Sequence, residues 1–174
     1  PGNNLKIKLD PIKKPLTWQD EYYQNSNNSE NYFYKNKNEV ASKGKKISSK
    51  DLSKKLLVDQ RNLITYDNSG NIFAFSIDQN KIIFKFNFYK KNFKKIDKKL
   101  NLSLKDGKIY ISDNLGYLYA LDYLKEEILW AKNFKVPFRS NIKVFKDKIF
   151  LADQDNTFYV VNRLNGDRIR NIPT

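Results

Sequence analysis

Asp122 and the run Asp153-Gln154-Asp155-Asn156 are the stretches whose residue types could support chemistry. Asp122 follows a β-rich run and has the carboxylate that a general base needs. The run from Asp153 resembles the start of a calcium-binding loop, but Thr157 and Phe158 stand at the fifth and sixth places, where that loop needs a ligand and then glycine. Asp and Asn also satisfy backbone groups in hairpin turns, and we favour that role at both places. The sequence therefore predicts no catalytic residue and no metal site.

The sequence contains no cysteine and no histidine. Zinc sites with the usual ligands need these residues, and so do Cys–His and Ser–His–Asp nucleophilic centres. These classes are excluded within the chain, and we expect no bound cofactor.

The chain is strongly basic, with a formal net charge of +14 over 174 residues. Such a charge is compatible with nucleic-acid binding. The lysines are spread along the whole chain, however, and no RNA-recognition signature that combines basic and aromatic residues is present. We therefore expect no nucleic-acid partner.

Residues 107–134 are predicted to form an antiparallel meander. Three runs have the composition of strands, Lys108–Ser112, Tyr117–Asp122 and Glu127–Phe134. Connections of about four residues, Asp113–Gly116 and Tyr123–Glu126, separate them, and no helical period fits.

This meander recurs on both sides of itself. The first turn ends at Gly70, Gly116 and Asn156, which lie 46 and then 40 residues apart. Two further landmarks share both spacings: a small residue in the second strand (Ala74, Ala120, Val160) and the bulky position of the third strand (Phe84, Trp130, Arg170). A repeat in the forties with several strands per unit is typical of β-propeller blades. The middle strands are apolar at nearly every position, which predicts that both of their faces are covered.

Within the repeat, Ala120, Asp122 and Trp130 resemble the tryptophan-docking repeat of the PQQ-like propeller superfamily, which has Ala-x-Asp, a glycine four residues later and then a tryptophan. Glu126 replaces that glycine in the central unit, whereas Gly166 keeps it in the third unit. The resemblance implies an all-β fold, a partial β-propeller of about three four-stranded antiparallel blades. The implied structural repeat positions are Gly70, Ala74, Phe84, Gly116, Ala120, Asp122, Trp130 and Gly166.

Leu16-Thr17-Trp18-Gln19, the run 136–162 and the order of blades are similar to the beginning of the BamB-like outer-membrane assembly lipoproteins. This resemblance covers residues 16–172 and implies a non-catalytic bacterial scaffold in the periplasm at the outer membrane. The implied partners are the periplasmic POTRA domains of a BamA-like barrel and, through a lipid anchor outside this sequence, the membrane. Two alternatives stay open: a fragment of a PQQ-dependent dehydrogenase, which would need calcium and a catalytic carboxylate, and a periplasmic interaction propeller with another partner.

The chain divides into a polar segment, residues 1–50, and about three blades at 51–90, 98–135 and 139–174. The alternating run Leu5–Leu9 is a candidate strand that closes the last blade. A closed propeller needs at least about four blades, so we interpret the chain as the N-terminal part of a longer propeller and expect a marginally stable or self-associating fragment. Residues 46–60 fit either a short helix or a strand near Lys55–Val58, and we favour the strand.

The sequence also allows predictions for two connecting segments and for the aromatic residues near the N-terminus. Residues 89–99 are predicted to be a solvated loop. The N-terminal aromatic residues are predicted to anchor an otherwise polar segment, with a ligand-stacking surface as the alternative. The connection Pro137-Phe138-Arg139-Ser140 is the candidate partner-binding element, with Phe138 and Arg139 as its contact residues. The alternative is that Phe138 packs beneath the blade and Arg139 is solvated.

Overall fold

The computed structural model describes residues 11–12, 17–22, 31, 33, 40, 43–44, 46–89 and 93–173. Within these ranges the chain is all-β, and no helix there is long and apolar enough to cross a membrane. The candidate strand Leu5–Leu9 lies outside the described residues, as do the aromatic residues Tyr23, Tyr32 and Tyr34.

The described strands form three antiparallel sheets, and within each sheet every strand pairs with the next one along the chain. Blade 1 contains β1 (Thr17–Trp18), β2 (Leu57–Asp59), β3 (Asn62–Tyr66), β4 (Asn71–Ser76) and β5 (Lys81–Asn87). Blade 2 contains β6 (Leu100–Lys105), β7 (Lys108–Asp113), β8 (Tyr117–Asp122) and β9 (Glu127–Asn133). Blade 3 contains β10 (Lys143–Phe145), β11 (Lys148–Ala152), β12 (Thr157–Asn162) and β13 (Arg168–Pro173). The prediction of a partial propeller built from antiparallel blades is confirmed.

The landmarks of the sequence repeat occupy equivalent places in the three blades. Ala74 pairs with Phe84, Ala120 with Trp130 and Val160 with Arg170, and each pair is followed by a shift of register at the next residue. The three turn residues have left-handed backbone, with φ of 80° at Gly70, 87° at Gly116 and 61° at Asn156. Glycine and asparagine adopt this conformation most readily, which explains their recurrence there.

The middle strand of blade 2 is covered on both faces, as its composition predicts. Tyr119 and Leu121 belong to the core between blades 1 and 2, whereas Leu118 and Ala120 belong to the core between blades 2 and 3. Alternate residues of a strand point to opposite faces of its sheet, so blade 2 contributes one face to each of these two cores. Stacked blades thus exclude water from both sides of β8.

The structure tests the predictions for two connecting segments. The strand β2 lies within residues 46–60, so the strand interpretation of that segment is correct. Residues 93–97 and 99 are exposed, as the prediction of a solvated loop at 89–99 requires, whereas the side chains of Tyr89 and Lys98 are buried. The ring of Tyr89 packs against Gly70, and the ammonium of Lys98 lies 5.5 Å from the centre of that ring.

Residues 17–22 run along the inner strands of all three blades. Thr17 and Trp18 pair with β2 of blade 1, and the carbonyl of Gln19 accepts a hydrogen bond from Leu104 N of blade 2 at 2.6 Å. The buried carboxylate of Asp20 lies 2.8 Å from the ammonium of Lys143 in blade 3. This segment therefore ties the three inner strands β2, β6 and β10 together.

Candidate interaction site

The tryptophan-docking residues meet between blades 2 and 3. Trp130 Nε1 donates a hydrogen bond of 2.9 Å to the carbonyl of Arg163, in the turn that precedes β13. The ring lies directly over Gly166, where a Cβ atom would come within 2.5 Å of the indole. Between blades 1 and 2, Phe84 takes the equivalent place and contacts Tyr123 edge-on, with ring centroids 6.4 Å apart. These side chains hold neighbouring blades in register.

Asp122 has a structural environment. Its Oδ1 accepts hydrogen bonds from the backbone N–H groups of Leu124 and Lys125, at 3.2 and 3.1 Å, and Lys108 Nζ lies 3.5 Å from its Oδ2. This arrangement closes the turn between β8 and β9. The residue at the end of that turn, Glu126, has φ of 59°, so it adopts the left-handed backbone of the glycine that it replaces.

A fully buried aspartate closes the turn between the second and third main strands of each blade. The three residues are Asp67, Asp113 and Asp153, which follow the same spacings as the other repeat landmarks. In each turn one carboxylate oxygen accepts hydrogen bonds of 2.8–3.0 Å from the backbone N–H groups two and four residues later. The turn interpretation of the run from Asp153 is therefore supported by direct contacts.

Buried tyrosines bind the second carboxylate oxygen in two of these turns. Tyr89 OH donates to Asp113, and Tyr159 OH donates to Asp153 at 2.7 Å. Burial raises the pKa of both tyrosines, so both remain protonated donors. Burial also raises the pKa of Asp113, an effect that the hydrogen bonds from Tyr89 and from backbone N–H groups oppose.

The connection between blades 2 and 3 is fixed by several hydrogen bonds. Phe138 N donates to Asp113 O at 3.0 Å, Arg139 N donates to Ala152 O at 3.1 Å, and Gln154 N donates to Pro137 O at 2.9 Å. The ring of Phe138 is buried and packs edge-on against Phe134 and Tyr159, with centroid distances of 5.1 and 6.3 Å. Phe138 thus anchors the connection from below, and the exposed side chain there is Arg139. Partner binding by this connection stays a prediction.

Arg139 lines a cleft of about 610 Å³ to which all three blades contribute, called the basic cleft below. Blade 1 and the residues before β2 provide Tyr66 and Lys55, and Leu100 forms part of the apolar wall. The remaining polar residues of the lining are Lys99, Asn101, Asn114, Arg139 and Gln154. No carboxylate side chain belongs to the described lining.

The charged groups of the basic cleft differ in their partners. Lys55 Nζ lies 2.8 Å from Glu21 and 3.5 Å from the side-chain oxygen of Asn101. Within the described residues, the ammonium of Lys99 and the guanidinium of Arg139 have no hydrogen-bond or ion-pair partner. Both cations are exposed at the rim of the cleft and are free to receive an anion.

The opposite end of the blades has a different charge pattern. Aspartates in its turns form described ion pairs with nearby cations, namely Arg61–Asp78, Lys148–Asp147, Lys132–Asp167 and Arg163–Asp106. The hydrogen bond from Arg163 lowers the pKa of Asp106, as expected for a paired carboxylate. The three repeated aspartates at the cleft end are instead buried within their own turns, and the exposed Asp155 lies beside the cleft rather than in its lining.

The sequence predicted Arg139 as a contact residue but did not point to Lys99, Lys55 or Gln154. A signal was present, because Lys99 and Arg139 are 40 residues apart and therefore occupy the same place in consecutive repeats. Asn114 and Gln154 are related in the same way. The basic cleft is thus formed by repeat-equivalent positions that blade stacking brings together.

No protein-family model matches this sequence, and no curated protein matches it. Several solved β-propellers resemble its fold. BamB from Moraxella catarrhalis is 15% identical with a TM-score of 0.54, and the match covers 66% of this chain and 33% of that protein. A europium-containing methanol dehydrogenase is 15% identical with a TM-score of 0.52, and the match covers 67% of this chain and 23% of the enzyme.

The WD40 domain of coronin from Toxoplasma gondii is 11% identical with a TM-score of 0.54, over 66% of this chain and 31% of that structure. The chain therefore spans about a third or less of the length of these structures. At such identities the likeness establishes the fold, and the chain is a partial β-propeller. The neighbours include a BamB, two dehydrogenases and a WD40 domain, and what they share with this chain is the β-propeller fold.

Proposed function

We propose that this chain is a non-catalytic interaction scaffold that works with the outer-membrane protein assembly machinery in the periplasm. The observation that carries the proposal is the basic cleft, where a rigidly held connection presents Arg139 between three stacked blades. Likeness to the fold of BamB, together with the Trp18 segment and the residues 136–162, supports the choice of machinery. The proposed partner is a BamA-like barrel with its POTRA domains.

The rigidity of the connection supports a scaffold role. A partner surface that is already ordered loses little conformational entropy when it binds. Phe138 is buried and the backbone of the connection is hydrogen bonded on both sides, so Arg139 starts from a fixed backbone position. Arginine is enriched among the side chains that contribute most to binding energy at protein interfaces.

A non-catalytic role agrees with how the chain uses its carboxylates. Asp122 and the three repeated aspartates accept backbone hydrogen bonds in turns, which are structural tasks. The sequence lacks cysteine and histidine, and the described residues contain no group of three or more acidic side chains arranged to hold a metal ion. The proposal would fail if the purified protein retained a quinone with visible absorbance.

Co-purification measures the proposed partnership. The tagged protein, produced in its native bacterium, is isolated from mildly solubilised membranes, and the amount of BamA-like barrel recovered with it is quantified. Arg139→Glu is expected to reduce that recovery about tenfold or more, because a reversed charge at a contact site adds repulsion. Lys125→Glu, an equal charge change in the exposed turn at the opposite end, is the matched control and should recover the barrel normally. Equal recovery with both variants, or no barrel with the unchanged protein, would contradict the proposal.

A further inference from the structure

We propose that the basic cleft is a binding site for an extended acidic peptide segment of a partner protein. The inference rests on the proposed interaction role and specifies the chemistry that the partner must present. It is carried by the distribution of charge and hydrogen-bonding groups at one end of the three blades.

The two exposed cations at the rim of the cleft have no counter-charge within the described residues. Lys99 and Arg139 occupy equivalent repeat positions in neighbouring blades and have no described partner. At the opposite end, Arg61 is paired with Asp78 and Arg163 with Asp106. Since no carboxylate lines the cleft, an incoming anion meets positive charge without competition from the lining itself. Carboxylates bind such cations through charge-assisted hydrogen bonds, and arginine can bind them in bidentate geometry.

The shape and lining of the cleft favour a peptide over a small ion. A volume of about 610 Å³ accommodates several side chains, whereas a single phosphate or carboxylate fills a small part of it. The side-chain amide of Gln154 has no described partner and can both donate to and accept from a peptide backbone. Tyr66, Leu100 and Phe138 add apolar surface beneath the polar rim, which suits the aliphatic stems of glutamate residues.

The two amides nearest the cations are already engaged, which fixes the walls of the cleft. Asn114 Oδ1 accepts from Lys99 N at 2.9 Å, and its Nδ2 donates to Asp97 O at 3.0 Å. Asn101 Nδ2 donates to Ser140 O at 3.1 Å, which links the start of β6 to the connection that contains Arg139. The cation-bearing backbones of blades 2 and 3 are therefore fixed relative to each other before any ligand arrives.

The test is a titration of the purified chain against fluorescein-labelled hexaglutamate, followed by fluorescence anisotropy at about 0.15 M ionic strength. The double variant Lys99→Gln/Arg139→Gln is expected to weaken binding by about tenfold or more, because it removes both free cations of the cleft. The control is Lys81→Gln/Lys125→Gln, which makes the same charge change at exposed positions outside the cleft and should change affinity less than about twofold. Near-equal loss in both double variants would overturn the proposal, since it would show attraction by net charge alone.

Competition separates the peptide from other sources of negative charge. Unlabelled hexaglutamate should displace the probe, whereas inorganic phosphate and citrate at the same charge concentration should not. Vesicles of phosphatidylglycerol should bind the cleft variant and the control variant equally. Displacement by phosphate or citrate, or vesicle binding that depends on Lys99 and Arg139, would overturn the peptide assignment.

If the barrel co-purifies but hexaglutamate does not bind, this inference fails and the interaction role stands. If hexaglutamate binds at the cleft but no barrel co-purifies, the inference stands and the proposed partner is wrong.

Discussion

At the scale of single residues, backbone conformation determines which side chains the repeat tolerates. Gly166 has φ of 74° and lies under the indole of Trp130, so both its dihedral angle and its lack of a side chain are required. Glu126 has φ of 59° at the equivalent turn of blade 2, where the residue is exposed. The same backbone geometry is thus required twice, but the steric requirement applies only at Gly166.

Substitutions at these two positions should have opposite effects. Gly166→Ala is expected to lower the free energy of unfolding by about 2–4 kcal/mol, since the new methyl group displaces Trp130 and the left-handed backbone is strained. Glu126→Gly is expected to raise it by about 0.5–1 kcal/mol, because glycine adopts that backbone without strain. Urea unfolding of both variants measures these changes. A stabilising Gly166→Ala change would refute the docking geometry.

The pKa of Asp113 predicts a specific dependence of stability on pH. Burial raises this pKa in the folded protein, so the contribution of Asp113 to stability is largest below its unfolded pKa and falls as pH rises through its folded pKa. Asp113→Asn keeps an acceptor for the backbone N–H groups but removes the charge. The free energy of unfolding of this variant should therefore increase relative to that of the unchanged protein as pH rises from about 3 to about 7.

Asp106 provides a comparison of opposite sign. Arg163 lowers its pKa in the folded protein, so its contribution is present above the unfolded pKa and is lost as pH falls through the folded pKa. Asp106→Asn should therefore lose stability relative to the unchanged protein as pH rises over the same range. The free energy of unfolding of each variant, relative to the unchanged protein, is measured by urea unfolding across this pH range. A change with pH in the same direction for both variants would rule out the assigned environments.

At the scale of elements, much of the structure could be predicted from the sequence because strand pairing within a blade is local. Turn residues such as Gly116 and the apolar run of β8 indicate their structure within a few residues of sequence. The burial of residues in the connection between blades 2 and 3 could not be predicted in this way. Whether Phe138 packs beneath blade 3 or faces solvent depends on Phe134 and Tyr159, which lie on different strands or loops.

Two neighbouring residues of this connection are therefore expected to have different roles, Phe138 in stability and Arg139 in binding. Phe138→Ala should lower the free energy of unfolding by about 3–5 kcal/mol, because the buried ring is replaced by a cavity in the core between blades 2 and 3. Arg139→Ala should change it by less than about 0.5 kcal/mol, because that side chain is exposed and has no described partner. Thermal and urea unfolding check both values. A large loss with Arg139→Ala would mean that this arginine is structural.

At the scale of the whole molecule, blade stacking and the inner segment bring distant residues together. The basic cleft needs side chains from three blades, and residues 17–22 contact the inner strand of each blade. A strand of two residues has no period to detect, so the sequence could not reveal this path. The sequence indicated packing at Trp18, but the ion pair between Asp20 and Lys143 spans 123 positions along the chain.

The inner segment should stabilise the stack of blades through Asp20. Asp20→Ala leaves the partly buried ammonium of Lys143 without this carboxylate and is expected to cost about 1–3 kcal/mol. Amide exchange at Leu104, which donates to Gln19, should accelerate in parallel. Glu21→Gln is the matched control, because the more exposed pair with Lys55 should contribute less than about 1 kcal/mol. Equal, small effects of both substitutions would mean that the segment does not stabilise the stack.

We propose that the end of the propeller containing the basic cleft contacts the assembly machinery. Site-specific photo-cross-linking in cells tests it most directly, with a photoreactive phenylalanine in place of the exposed Gln154 at the cleft and, separately, of Lys125 at the opposite end. We expect a cross-linked product that contains the BamA-like barrel from position 154 and none from position 125. Cross-linking to the barrel from position 125 alone, or to no barrel from either position, would contradict it.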